Sequence, residues 1–179
     1  AAYEVFVGGT VINLDILLTY LPVSLLYILS MAMGYVGLRY IELSISSPIC
    51  NSSGALVAVL AILFDGIAGY SPLALFAVAL VCVGAVGLGV VEAREDDELR
   101  IERQKASNYK YTKSFMALAM PAAYCVLDAA GTFADSRVLE IISRTVEDYE
   151  ASANVAYELT FLLAGILSFV YVVLIKKDR

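Results

Sequence analysis

The sequence predicts an all-α, polytopic helical membrane protein with five transmembrane helices in this chain. Three observations lead there. Of the 179 residues, 60% are hydrophobic and only 17% charged, with mean hydropathy +0.79, where soluble domains run about 45–50% apolar and roughly 25% charged. Charge is also segregated: residues 92–113 hold twelve ionisable groups, whereas long stretches hold none, the pattern of membrane segments joined by a wet connector. Finally, no run alternates as a barrel strand would, and Ala, Leu and Gly outnumber the β-branched and aromatic residues that sheets favour. Lipid accepts only helices or closed barrels, because every backbone amide needs a partner within the protein.

The first apolar run, Leu17 to Leu38, belongs to a helix expected over about 14–41. The second, Pro48 to Phe64, gives a helix over about 44–65, and the third, Pro72 to Val91, one over about 71–92. A charged connector follows at 92–113. The fourth run, Ser114 to Phe133, is apolar apart from Asp128 and stays helix-like to Ile142, so a helix is expected over about 112–142. The fifth, Phe161 to Ile175, extends back to Ala151 and predicts a helix over about 151–176. Each run approaches the ~20 residues that cross ~30 Å of hydrocarbon at 1.5 Å per residue.

No signal peptide is visible and the sequence opens on Ala1, so the N-terminus is expected to be an internal point of a longer protein. If the connector and alternate loops share one side, that side carries ten basic residues, among them Arg39, Arg94, Arg100 and Lys176, and the other only Arg137 and Arg144. The positive-inside rule then places the connector and the C-terminal Lys-Lys-Asp-Arg in the cytoplasm. Residues 136–150 are amphipathic enough to lie on a membrane surface, but four acids against two basic residues make no patch for anionic lipid. Cys50, Cys82 and Cys125 sit in different apolar runs without a CxxC pair, and histidine is absent. That excludes ordinary zinc sites and reads as three buried free thiols; no metal or cofactor is expected.

Polar residues inside the runs are the candidates for function. Ser47, Asn51 and Gly54 are spaced by four and three and share a helix face beside Pro48; such a face is a helix contact or a cavity wall, since lipid does not tolerate it. In the third run, Ala85 and Gly89 form a small-xxx-small pair with Gly84 and Gly87 nearby, a pattern for close helix packing. In the fourth, Tyr124, Asp128, Thr132 and Asp135 line one stripe, and Pro121 one turn earlier frees a carbonyl beside it. A charged aspartate at mid-membrane costs about 2.5–3.5 kcal/mol on insertion scales, so Asp128 faces protein or water or is protonated. It is either a structural aspartate bonded to neighbouring hydroxyls or a substrate or coupling-proton site. In the fifth run Asn154 and Glu158 lie one turn apart beside Tyr157, and Glu158 either contributes to the site or marks the wet end of its helix. Tyr27, inside the first run, hydrogen-bonds to another helix or lines a cavity, while Tyr40 and Tyr70 suit the interfacial belts.

The passage GYVGLRYIELSISSPICNSSGALVAVLAILFDG, followed by SPLALFAVALVCVGAVGLG, resembles the third to fifth helices of an EamA-type repeat in the drug/metabolite transporter superfamily. The likeness rests on a helix ending in GL-x-Y, a Ser-rich helix with proline ending near Asp65, and a Gly-rich end to the next helix, and covers about half of the chain. The resemblance implies a ten-helix carrier of two inverted five-helix repeats, of which 1–91 would be the end of the first and 114–179 the start of the second. It also implies a midplane cavity for a small metabolite, here lined by Tyr27, Asn51, Tyr124 and Asp128, with Thr132 on the same stripe and Asp128 or Glu158 binding a cationic group or a coupling proton. Two features depart from the family pattern: the acid after the Ser-rich helix is Asp65 rather than glutamate, and the family's topology puts the connector outside the cytoplasm. A helix lost or gained upstream, neutralising acids in the connector, or a repeat assignment off by one would each account for the second.

The function expected is a secondary transporter of a small polar or amphipathic metabolite, in the bacterial cytoplasmic (inner) membrane. Its partners would be lipid and substrate, with a proton as candidate coupling ion and no nucleic acid. The competing reading is a non-transporting scaffold or assembly subunit. An intramembrane enzyme is not expected, because no His-based or Ser/Lys dyad is present.

Overall fold

The computed structural model describes residues 2–38, 43–94, 98 and 114–176; most of the charged connector, Arg39, Tyr40 and the last three residues lie outside them. Every regular element among the described residues is helical. They are α1 (Ala2–Phe6), α2 (Leu14–Gly37), α3 (Leu43–Asn51), α4 (Ser53–Asp65), a 3-10 turn (Ile67–Gly69), α5 (Pro72–Ala93), α6 (Ser114–Ser143), α7 (Tyr149–Val170) and a π-helical turn (Tyr171–Ile175).

Local chemistry sets several boundaries. The Asn13 side-chain oxygen accepts from the Ile16 amide at 2.8 Å and caps α2. Ser71 Oγ accepts from the Ala74 amide at 3.2 Å, and Pro72 occupies the first turn of α5, where its missing N–H costs nothing. The α4 helix stops at Gly66, whose φ of 88° lies in the region that a side chain resists. The segment expected as one helix over about 44–65 runs as two, α3 and α4, with a turn at Ser52. There the Ser52 hydroxyl donates to the Ile49 carbonyl at 2.6 Å and the Ser52 amide reaches the same oxygen at 3.2 Å, which tightens one turn of helix.

Four segments are long and apolar enough to cross a membrane: Leu14–Gly37, Ser46–Asp65, Pro72–Val91 and Tyr149–Leu174. Their surfaces say what surrounds them. No residue of Pro72–Val91 is buried, and Leu73, Leu80 and Val83 are 77%, 61% and 69% exposed. In α7 the same holds for Leu162, Leu163, Ile166 and Leu167. Continuous apolar surface of this extent is not left against water, so hydrocarbon is its natural solvent and the chain reads as a membrane protein.

The chain divides into two compact units. One comprises residues 1–28 and 134–179, the other 29–133. The first has a core of Ile16, Tyr20, Val23, Ile142, Ala153 and Ala156, with Val138, Leu139 and Tyr149 packed against it. Small residues let α7 approach closely here: Ser152, Ala153, Val155 and Ala156 are all buried, and Ser152 Oγ donates to the Val11 carbonyl at 2.8 Å. The second unit buries Ile49, Ala55, Pro121, Cys125 and Ala129, packs α5 against α3 and α4, and stacks Phe64 near Phe133 with ring centroids 5.2 Å apart.

Candidate functional site

The second unit contains a cleft of about 270 Å³ where α2, α3 and α6 meet. Met31 and Leu38 give it apolar walls. Hydroxyls come from Tyr35, Ser46, Ser47 and Tyr124, and a thiol from Cys50. Among the described residues no charged side chain lines it.

Two glycines bring α2 against α6 in this unit. A Cβ on Gly34 would lie 2.8 Å from Tyr124 Cδ2, and one on Gly37 would lie 3.1 Å from the Cβ of Met120. Tyr124 therefore takes its place as a cleft wall because position 34 carries no side chain. Gly84 of α5, in contrast, has nothing within 4 Å of the same construction. Gly34→Ala is accordingly expected to destabilise the protein by up to about 2 kcal/mol, overpacking at ~1–3 kcal/mol being offset by the ~1 kcal/mol gain in helix propensity. Gly84→Ala should be neutral or stabilising. Thermal unfolding of both variants in one detergent checks this; equal midpoints would show that the close approach at Gly34 does not constrain the fold.

The candidate residues divide between the units. Asn51, Tyr124, Asp128 and Thr132 fall in the second, Tyr27 and Glu158 in the first. Tyr124 is half-buried and lines the cleft. Asp128, one helical turn further along α6, is half-buried. Among the described residues no hydrogen bond or ion pair reaches its carboxyl group. Thr132 is half-buried and has a bonding partner. Asn51 is exposed at the end of α3, where its amide donates to Ser47 Oγ at 3.1 Å, so it joins the cleft through Ser47.

Two of the cysteines mark contacts in this unit. Cys125 is buried with its sulfur 3.2 Å from Ser52 Oγ, and Cys50 lies 3.7 Å from Ser46 Oγ. Among the described residues no group of His, Cys, Asp and Glu could hold a metal ion.

In the first unit, Tyr27 packs edge-on against Tyr157 at 5.9 Å between centroids, and Tyr157 lies 6.0 Å from Phe161. Glu158 is exposed and has a partner. One short polar contact of this unit is not foreseen from the sequence: Tyr20 donates its hydroxyl to Asp135 Oδ1 at 2.6 Å, beside a hollow of about 190 Å³ that Glu150 and Asn154 also line. Asp135 stood out on its stripe, but nothing in the spacing of residues 115 apart singles out Tyr20 as its donor.

Compared with family models, curated proteins and solved structures, the chain matches none.

Proposed function

We propose that the chain is part of a secondary transporter that moves a small polar or amphipathic metabolite across the bacterial cytoplasmic membrane by alternating access. In this reading α6 is a fifth membrane-spanning helix, and the five belong to a ten-helix inverted-repeat carrier of the EamA type. The resemblance of residues 34–89 to such a repeat supports it. The observation that carries it is Asp128: a half-buried carboxyl group, without hydrogen bond or ion pair among the described residues, one helical turn along α6 from Tyr124, which lines a cleft together with Ser46 and Ser47. Ionisable groups placed among apolar membrane helices are costly, and those that persist commonly serve a substrate or proton path. Protonation removes the charge of such a group, which links occupancy of the site to pH.

Uptake into proteoliposomes tests the assignment. With the metabolite selected by a thermal-shift screen on the purified full-length protein, Asp128→Asn is expected to lower uptake at least about tenfold, the effect of ~1.4 kcal/mol, and to flatten its pH dependence. Unchanged uptake with an unchanged pH profile would remove Asp128 from the mechanism.

One observation favours the competing reading of an assembly subunit. Gly84 and Gly87 of α5, three residues apart on one face, have no neighbour within 4 Å of where a Cβ would stand, so this narrow face accepts no helix of the described chain. Small residues of this kind serve helix association in membranes. If Gly87→Leu abolishes a stable complex with another membrane protein while no metabolite shifts the melting point, the subunit reading prevails.

A further inference from the structure

We infer that the cleft of the second unit takes a small organic monocation, an amine or quaternary ammonium group on a compact apolar body, and rejects free anions. This rests on the carrier reading and names the substrate class of the same site. Size is set by the cleft itself. Its volume of about 270 Å³ lies at the lower edge of the ~300–1,000 Å³ of sites for drug-sized ligands.

Charge is set by what lines and surrounds it. Among the described residues no lysine or arginine faces the cleft, so none of them offers an anion a counter-ion, while the Asp128 carboxyl group lies one helical turn along α6 from Tyr124, which lines it. The rings of Tyr35 and Tyr124 add faces that attract a cation. Met31 and Leu38 suit an apolar body, and the hydroxyls of Ser46 and Ser47 suit one polar substituent. A cation in the cleft would offset the Asp128 charge one turn away, whereas an anion would add to it.

Cys50 provides a reporter, because its thiol lines the cleft and is free. The chain carrying Cys82→Ser and Cys125→Ser, held in lipid nanodiscs so that both faces are accessible, is treated with 2-(trimethylammonium)ethyl methanethiosulfonate or with the 2-sulfonatoethyl reagent. In each case the Cys50 thiolate attacks the reagent's sulfenyl sulfur, forming a mixed disulfide and releasing methanesulfinate. Each rate is divided by that of a small free thiol with the same reagent. The cationic reagent is expected to react roughly tenfold or more faster than the anionic one, the scale on which a charged cleft concentrates its counter-ion. Asp128→Asn should bring the ratio close to one, and Asp128→Glu should preserve it.

Equal normalised rates with Asp128 in place would overturn the inference, as would failure of both reagents to reach a Cys50 that reacts once the protein is unfolded in detergent. The ratio with Asp128 intact decides the matter even where the asparagine variant does not fold. A ratio of one would remove the preference for cations and leave the carrier reading to the uptake experiment with Asp128→Asn.

Discussion

Leu80→Arg is expected to lower membrane insertion of α5 by roughly 60- to 300-fold. Leu80 lies near the middle of Pro72–Val91 and is 61% exposed, so nothing in the described protein shields a charge placed there. An arginine at the centre of a spanning helix costs about 2.5–3.5 kcal/mol on translocon scales, and each 1.4 kcal/mol is about a factor of ten. The control is Ser71→Arg, at the mouth of the same helix, where the long side chain lifts its charge to the interface at little cost. Presenting residues 71–93 as a test segment to the insertion machinery and scoring membrane integration by glycosylation compares the two. Equal insertion would mean that α5 does not sit with Leu80 in hydrocarbon.

The second large effect belongs to the bond between Tyr20 and Asp135. Tyr20 is 5% exposed, and its hydroxyl lies 2.6 Å from the Asp135 carboxyl oxygen, within the range of charge-assisted O–H···O bonds. Tyr20→Phe preserves the ring that packs with Ile16, Val23 and Ile142 but removes the donor, leaving a half-buried carboxyl group without it. Hydrogen bonds to charged groups contribute about 1.5–3 kcal/mol, so the unfolding equilibrium should shift by about ten- to a hundredfold. Asp135→Asn, which keeps an acceptor, should cost less. Denaturant unfolding in mixed micelles measures both; a neutral Tyr20→Phe would show that the bond does not hold α2 to α6.

How much of this was legible in the sequence depends on the range of the interaction. Helix class and the four apolar spans follow from composition and run length, because hydrocarbon acts on each segment separately. The caps at Asn13 and Ser71 and the stop at Gly66 are local chemistry of the same kind. The break at Ser52 was not legible, because Ser-rich turns remain compatible with an uninterrupted helix until the Ser52 hydroxyl is seen on the Ile49 carbonyl. The stripe on α6 was readable as a stripe, but which of its acids has a donor was not. Asp135 and Asp128 differ only in what the rest of the fold brings to them: a tyrosine from α2 in one case and, among the described residues, no hydrogen-bonding group in the other. Likewise Gly34 belongs to an ordinary Gly-Tyr pair in sequence, and its part in seating Tyr124 depends on α6 arriving beside it.

Lipid as the medium around the apolar helices is the premise on which every site argument here depends, and spin labels placed one at a time at Leu73, Phe76, Leu80, Val83 and Val90 in bilayers test it most directly. Collision with dissolved oxygen should rise towards Leu80 and Val83 and fall at both ends, while collision with a water-soluble nickel chelate does the opposite. A chelate that reaches Leu80 and Val83 as freely as Leu73 would place α5 in water and contradict the account.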